Sequence, residues 1–346
     1  MLDTLPLWGV ITLLVVAGVV IAVAGTRLAT VADQLADRTG MGEAIAGAVF
    51  VGAATSLPGL LTTVIAAAEG LPTLAVSNAL GGIAVQTLWL VVGDAFLRRA
   101  NLEHAAAAPE NIFQGALLVA LLSLPLLAMS APPFTLFGFL HPVSILLPAL
   151  WFFGMRMMRE VRKHPMWRPL QTPDTVLDEP NEDDDGKLSA RQLWISFLGL
   201  ALILGGAGWA LAESGGEIVE RTALSESVVG ALFTATLSST PELVVVIAAV
   251  RQGAHTLAIS NIIGGNAFDT LFIFAADVAF LDGSIYHAIT RDQQYFLVLT
   301  ILMTGVLLMG LVRRERQGPL GIGFESVFIV GSYVAAVAGL FFFAPA

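Results

Sequence analysis

A block of 34 residues occurs twice in this chain, and this duplication constrains the fold more than any other feature. Residues 55–88 align without a gap with residues 238–271, 183 positions later, and 15 of the 34 pairs are identical. Both copies lie in strongly apolar sequence. A match of this quality between ungapped segments indicates an internal duplication, and it predicts a fold built from two related halves.

The composition places both halves in a membrane. Hydrophobic residues make up 56% of the chain and charged residues only 13%, whereas soluble domains carry about 25% charged residues. Apolar runs of about 20 residues, the length that crosses a bilayer, recur throughout. The first run, 7–23, has no basic flank or clear cleavage site, so we interpret it as a retained helix. The chain has no cysteine, which excludes disulfides and thiolate sites.

We predict an all-α membrane protein with ten transmembrane helices, arranged as two inverted five-helix repeats. The predicted first half is 1–155, with its α-repeat at about 43–96, and the second half is 191–346, with its α-repeat at about 225–280. A polar, partly acidic linker at 156–190 joins them. The predicted spans lie near 7–27, 43–67, 72–96, 112–130, 134–155, 191–212, 225–250, 256–280, 293–312 and 321–344.

The distribution of basic residues orients these spans. If both termini lie outside, 15 of the 17 basic residues fall in cytoplasmic loops, and only Arg221 and Arg291 lie outside. This satisfies the positive-inside rule and predicts a multi-pass protein of the cell (plasma) membrane. Because each half has an odd number of spans, the two copies of the repeat enter the membrane in opposite orientations. That arrangement is typical of transporters that open alternately to each side, and it favours a transporter over an enzyme.

Two carboxylates lie deep in the predicted spans, Glu242 and Asp269. A carboxylate at a helix centre costs on the order of 2.5–3.5 kcal/mol and is functional by default. Ser238 and Ser239 lie beside Glu242 on the same helix face. In the same helix, Pro241 removes one backbone hydrogen bond and frees a carbonyl. Carboxylate, hydroxyl and carbonyl oxygens are the ligands that Ca²⁺ and Na⁺ require. Two further aspartates, Asp94 and Asp277, lie near helix ends, where solvation at the membrane interface explains them.

The sequence Ser-Ser-Thr-Pro-Glu at 238–242, followed by Gly-Gly-Asn-Ala-Phe-Asp at 264–269, resembles the second α-repeat of the calcium/cation antiporter superfamily. Sodium/calcium exchangers are members of this superfamily. Thr-Ser-Leu-Pro at 55–58 with Gly-Gly-Ile-Ala-Val-Gln at 81–86 resembles the first α-repeat. The resemblance covers both repeats and the ten-helix layout, and it implies a cation site between the repeats at mid-membrane.

The resemblance also implies which residues hold the ions. Backbone carbonyls that line sodium sites match Gly52 and Ala235, and Gln86 takes the place of an amide. The predicted cation-binding set is Glu242, Asp269, Ser238, Ser239, Thr55, Ser56, Gln86, Gly52 and Ala235.

One position departs from the family pattern. The first repeat of the family normally has an acid after its proline, and this chain has Gly59. The loss removes one negative charge and up to two oxygen ligands. Glu242 and Asp269 alone can neutralise one divalent ion or two monovalent ions, so the exchange of several Na⁺ for one Ca²⁺ is in question.

We therefore predict a secondary antiporter that exchanges Na⁺ for Ca²⁺ by alternating access, with no cofactor. A proton-coupled Na⁺/H⁺ or Ca²⁺/H⁺ exchanger is the alternative, with Glu242 as the proton carrier. An uncoupled cation channel or a cation sensor is an alternative of another class, motivated by Gly59. The expected partners are the lipid bilayer and inorganic cations, without nucleic acid, and the protein is expected to be a monomer or a weak oligomer.

Overall fold

The computed structural model describes residues 2, 4–39, 55–97, 99–106, 108–175, 189–318 and 321–342. Within these ranges every regular element is a helix, apart from one isolated bridge between Leu136 and Leu140. The elements are, in chain order, α1 (Leu7–Thr39), α2 (Leu57–Ala68), α3 (Pro72–Phe96), α4 (Leu102–Ala105), α5 (Pro109–Ser130), α6 (Pro142–Lys163), α7 (Ala190–Arg221), α8 (Glu226–Val228), a π-helix (Val229–Thr234), α9 (Ala235–Ser238), α10 (Thr240–Gln252), α11 (His255–Ala279), α12 (Ile285–Ala288), α13 (Arg291–Arg313) and α14 (Phe324–Phe342).

The helical fold class is confirmed for the described residues. Seven helices are long and apolar enough to cross a membrane, and a bent pair, Glu226–Ser238 with Thr240–Gln252, makes up to eight. The predicted span at 43–67 falls partly outside the described residues, and its described part is the short apolar helix α2. The count of ten spans, the inverted five-helix halves and the external termini stay predictions.

Several predicted boundaries are wrong, and α1 for example continues to Thr39, beyond its predicted end at 27. The fifth span was expected to begin at residue 134, but α6 begins at Pro142. Phe137 and Gly138 adopt positive φ angles of 57° and 87°, which close a tight loop and prevent a helix there. In the second half, α7 continues to Arg221, nine residues beyond the predicted end at 212. Its start at Ala190 is fixed by a capping box between Ser189 and Gln192, which satisfies free N–H groups of the first turn.

The duplicated block forms the same local structure twice. Pro58 and Pro241 lie in the first turns of α2 and α10, where a missing N–H costs nothing. At the second of these breaks the chain bends by 46°. Each of the two helices ends before a glycine with a left-handed conformation, Gly70 at φ 77° and Gly253 at φ 82°. Only glycine adopts this conformation without strain, so it ends each helix and turns the chain into the next.

The long helices α3 and α11 pack against each other at the centre of the bundle and run antiparallel. The side chain of Asn266 donates to Thr87 Oγ1 at 3.0 Å. The guanidinium of Arg251, in the last turn of α10 and just before α11, lies 5.2 Å from the centre of the Phe96 ring at the end of α3. On its other side α3 approaches the π-helix so closely that a Cβ on Gly81 would lie 2.6 Å from Ala231 Cα. Glycine therefore permits the crossing that brings the two repeats together.

The structure corrects the interpretation of Asp277 as an aspartate solvated at the membrane interface. Its exposed fraction is 0%. Its Oδ2 accepts hydrogen bonds from His141 N at 2.8 Å and Ser144 Oγ at 2.6 Å, and its Oδ1 accepts from Ile285 N at 3.0 Å. The side chain therefore ties the end of α11 to the start of α6. We call this contact the outer joint, because it lies at the end of the bundle that is predicted to be external.

Asp94 makes the same contacts at the other end of the bundle, and it is also fully buried. Its Oδ2 accepts from Gly323 N and from Ser326 Oγ, both at 2.9 Å, and its Oδ1 accepts from Leu102 N at 2.8 Å. This inner joint ties the end of α3 to the start of α14. In each joint, a helix of one half is therefore fixed to the last helix of the other half.

Candidate functional site

Most of the predicted site residues lie around one cavity at the junction of the two repeats. The cavity measures about 10 Å³, enough for one water-sized sphere. It is bounded by α2, α3, α9, α10 and α11. Its lining residues are Ser56, Gly59, Asn78, Gly82, Gln86, Ser238, Ser239, Glu242, Asp269 and Phe272.

A hydrogen-bonded pair of repeat-related residues crosses the cavity. Gln86 and Asp269 occupy equivalent positions of the two copies, and Gln86 Nε2 donates to Asp269 Oδ2 at 2.7 Å. The same amide also approaches Ser239 Oγ at 3.3 Å. The exposed fraction of Gln86 is 2%, and that of Asp269 is 1%. The amide therefore fixes one oxygen of the carboxylate and leaves the other free to bind a ligand.

Four buried oxygens of the site have no hydrogen bond of normal geometry among the described residues, although the Ser56 hydroxyl lies close to the carboxyl group of Asp269. They are Ser56 Oγ, Gln86 Oε1, Glu242 Oε2 and Asp269 Oδ1. All four belong to residues that line the cavity. A buried polar atom without a partner costs about 1–3 kcal/mol, and more when it is charged. A set of two carboxylate oxygens, one amide oxygen and one hydroxyl oxygen has the chemistry that a desolvated hard cation requires.

The remaining predicted residues have different surroundings. Thr55 bonds to the carboxyl group of Glu242. The carbonyl of Ala235, predicted to line a sodium site, accepts hydrogen bonds from Ser238 Oγ at 3.1 Å and from Ser239 N at 3.0 Å. Gly52 lies outside the described residues.

The carbonyl that Pro241 frees was expected to face the ions. It belongs to Leu237, and it accepts a hydrogen bond from Thr240 Oγ1 at 2.7 Å. The hydroxyl at the start of α10 therefore satisfies this carbonyl of α9, as serine and threonine often do near helix breaks.

Sequence reasoning missed the role of Asn78. Its side-chain nitrogen donates to Gly59 O at 3.1 Å and to Thr63 Oγ1 at 2.9 Å, and its oxygen accepts from Thr234 Oγ1 at 2.7 Å. One buried side chain thus holds α2, α3 and the π-helix together at the wall of the cavity. The sequence contained one indication of this role, because Asn78 is identical to the equivalent residue Asn261 in the second copy of the block.

Gly59 lies where the family places a second acid, and the structure shows what surrounds it. A Cβ at this position would lie 3.0 Å from Phe272 Cε2 and 3.6 Å from Ser238 Oγ. The Phe272 ring therefore borders the space that an acidic side chain would need. No His, Cys, Asp or Glu cluster of three in the described part of the chain is arranged to hold a metal, and the site keeps two carboxylates.

Comparison with known proteins gives a consistent result. The family model described as sodium/calcium exchanger protein matches residues 9–158 and 191–342. The inner membrane protein YrbG of Escherichia coli (strain K12) is 28% identical over 342 residues, which cover 96% of this chain and 97% of that protein. The sodium/calcium exchanger MaX1 of Methanosarcina acetivorans is 28% identical over 153 residues, 44% of this chain and 41% of that one.

Two solved structures share the fold. The sodium-calcium exchanger NCX_Mj superposes with a TM-score of 0.62 and 15% identity, over 96% of this chain and 99% of that chain. The H⁺/Ca²⁺ exchanger CAX superposes with a TM-score of 0.66 and 12% identity, over 97% of this chain and 82% of that chain. Because the family model covers both halves and the fold agrees over nearly the whole length, the chain belongs to the sodium/calcium exchanger family of the calcium/cation antiporter superfamily, as a multi-pass membrane transporter and not an enzyme.

Proposed function

We propose that this protein exchanges Na⁺ for Ca²⁺ across the cell membrane, as a secondary antiporter with one site between its two repeats. The observation that carries the proposal is the set of four buried oxygens around the cavity that lack a hydrogen bond of normal geometry. Buried oxygens without good hydrogen bonds are costly, and a cation would satisfy all four at once. The relative MaX1, whose name describes a sodium/calcium exchanger, supports this choice of ions.

The charge of the site sets the expected stoichiometry. Glu242 and Asp269 are the two carboxylates of the cavity, and none of the described residues forms an ion pair with either. One Ca²⁺, or two monovalent ions, would neutralise them. Moving an uncompensated charge through the membrane is costly, on the order of several kcal/mol. We therefore expect exchange of one Ca²⁺ for two Na⁺, without net charge movement, and a neutral occupied state that changes access.

The helices α1 and α7 are suited to that change of access. They pack along each other, and only about a third of each helix's apolar segment is buried. Each touches one of the proline breaks. A Cβ on Gly25 of α1 would lie 2.5 Å from Pro241 Cγ, and a Cβ on Gly208 of α7 would lie 3.0 Å from Pro58 O. Glycine has no side chain that would block movement at these contacts. We therefore propose that α1 and α7 slide past the proline breaks before α2 and α10.

A proton-coupled exchanger is the second candidate, because the two carboxylates have no basic partner among the described residues. Protons can neutralise such a pair as well as metal ions can. The structural relative CAX is an H⁺/Ca²⁺ exchanger, and it gives this candidate a precedent on the same fold.

Calcium uptake into proteoliposomes distinguishes the two candidates. Radiolabelled Ca²⁺ uptake is measured under an imposed Na⁺ gradient and, separately, under an imposed pH gradient. Glu242→Gln should abolish the uptake, whereas Glu220→Gln, the same change at an exposed position of α7, should leave it unchanged.

Uptake that only the Na⁺ gradient drives supports sodium/calcium exchange. Uptake that only the pH gradient drives supports the proton-coupled candidate. No calcium movement under either gradient overturns the calcium assignment, and calcium flux without a counter-ion would identify a channel. A potassium diffusion potential tests the stoichiometry, since uptake that depends on it would refute electroneutral exchange.

A further inference from the structure

The inner joint contains two carboxyl groups beyond Asp94, and neither belongs to the cation site. Glu103 on α4 and Glu325 in the first turn of α14 each have an exposed fraction of 1%. Their carboxyl groups lie beside each other, and the charge of Glu325 acts on Glu103. Among the described residues, no N–H or hydroxyl group donates to either oxygen of Glu103, or to Oε2 of Glu325. An ionised carboxylate has no hydrogen to donate, so a hydrogen bond between these two groups requires a proton on one of them.

The surroundings of the pair are negative. Asp94 lies close to both residues and Glu315 lies close to Glu325, and the charge of Asp94 favours the protonated form of Glu103. Burial is the main reason that the pKa of Glu103 lies well above its usual range. His255 begins α11, which also packs against α4.

The basic groups near α4 have other partners. The side chain of Arg314 donates to Leu170 O, to His104 O and to Thr175 Oγ1. The ring of His104 contacts Arg314 O at 2.7 Å and Thr172 Oγ1 at 2.9 Å. Arg313 lies over the Phe324 ring. None of these cations is therefore in place to replace the proton.

Two glycines make room for the carboxyl group of Glu325. A Cβ on Gly310 would lie 2.6 Å from Glu325 Cγ, and a Cβ on Gly323 would also overlap the carboxyl group. The side chain is therefore held in a closely fitting pocket between α13 and α14, where it cannot turn outward to water without displacing its neighbours.

The outer joint shows that a joint of this kind does not need a carboxyl pair. Tyr286 occupies the position equivalent to Glu103, 183 residues later. Val143 corresponds to Glu325, because His141 and Ser144 contact Asp277 as Gly323 and Ser326 contact Asp94. The hydroxyl of Tyr286 bonds to Ser144 Oγ at 2.8 Å. The same backbone arrangement thus forms with a tyrosine and a valine, and the two acids are a specific feature of the inner joint.

We propose that Glu103 and Glu325 form a proton-binding site that closes the inner joint, at the end of the bundle predicted to be cytoplasmic. The bound proton bridges the two carboxyl groups. When it is lost, adjacent negative charges on α3, α4 and α14 repel one another in a dry environment, and α4 separates from α14. Since α3 also carries Gln86 of the cation site, the joint connects the pH on this side of the membrane to the helix that lines the cavity.

Infrared difference spectroscopy of the purified full-length protein tests for the proton directly. The wild-type spectrum should contain the carbonyl band of a protonated carboxyl group that is absent from both Glu103→Gln and Glu325→Gln. The control Glu160→Gln, at an exposed position of α6, should keep it. Retention of the band in both joint variants would overturn the proposal. Two separate positions are tested so that a folding defect in one variant leaves the other to decide.

Hydrogen–deuterium exchange tests the opening of the joint. At one alkaline pH, the backbone amides of residues 99–106 should exchange severalfold faster in wild type than in Glu103→Gln. The glutamine side chain can donate a hydrogen bond to the carboxylate of Glu325 without a bound proton, so the joint of the variant should stay closed at that pH. Comparison at a single pH removes the intrinsic pH dependence of exchange. Equal exchange rates would refute the opening. Neither measurement depends on which cation is transported, so these results stand or fall independently of the proposed exchange activity.

Discussion

The outer joint makes a quantitative prediction for Asp277→Asn. The aspartate accepts three hydrogen bonds in a fully buried position, two at Oδ2 and one at Oδ1. An asparagine can place its oxygen where Oδ2 is and keep the bonds from His141 N and Ser144 Oγ. Its NH₂ group then faces the N–H of Ile285, and that donor is left without an acceptor. Hydrogen bonds to charged groups contribute about 1.5–3 kcal/mol each, and the two that remain become weaker. We expect a loss of about 2–4 kcal/mol in the free energy of unfolding.

Equilibrium unfolding in mixed micelles, followed by circular dichroism, measures this loss. The matched control is Asp282→Asn, the same substitution at an exposed position five residues away, where the change should stay within about 0.5 kcal/mol. Asp94→Asn should cost less than Asp277→Asn, although both side chains accept the same set of bonds. The reason is that Asp94 lies among two further acids and its neutralisation relieves repulsion. Equal stability of Asp277→Asn and Asp282→Asn would refute the role of the joints.

Three further predictions concern other parts of the molecule. Gly208→Ala should slow calcium exchange, because its Cβ would lie 3.0 Å from a carbonyl of the α2 break, while Gly206→Ala, with open space around it, should exchange at the wild-type rate. Gly59→Glu should reduce calcium uptake, because overpacking against the Phe272 ring, 3.0 Å from the added Cβ, costs about 1–3 kcal/mol. Adding Phe272→Leu to this variant should restore the uptake. If the double variant stays inactive, lack of space for the side chain is not the cause of the loss. Burial raises the pKa of Glu103 above 4.5, so the folded state binds more protons than the unfolded state above that pH. The free energy of unfolding should then fall as pH rises from about 4.5 through the folded-state pKa, and Glu103→Gln should flatten this part of the pH profile.

Hydropathy predicted most of the helices, because their lipid-facing and buried surfaces are both apolar. The boundaries that failed depend on contacts a hydropathy reading does not include. The α7 helix continues past its apolar part, where Glu217 and Arg221 form an ion pair one turn apart, and such pairs stabilise helix ends. The start of α6 is delayed by a loop in which Phe137 takes a left-handed conformation, and nothing in the local sequence demands this.

The repeat offset predicted the members of the candidate site better than any single motif. It pairs Gln86 with Asp269, and the structure places these two side chains 2.7 Å apart. It could not predict which oxygens are left without partners, since this depends on side-chain orientation. Nor could it predict the burial of Asp94 and Asp277. Their partners Gly323 and His141 lie 229 and 136 residues away in the chain, so their position near helix ends was misleading.

The two copies of the repeat have the same backbone arrangement, but they carry different side chains at equivalent positions. In the cation site, Glu242 and Asp269 of the second copy face Gly59 and Gln86 of the first, so both negative charges come from one repeat. The amide compensates in a particular way, because its NH₂ group holds one oxygen of Asp269 while its own oxygen is left free. A glutamine can therefore replace an acid as an oxygen ligand without replacing its charge. The two joints differ in the opposite way from the cation site. Here the first half carries an acid, Glu103, and the second half carries Tyr286 at the equivalent position. Each copy has thus kept the backbone contacts that build the fold, while its titratable groups differ from those of the other copy at equivalent positions.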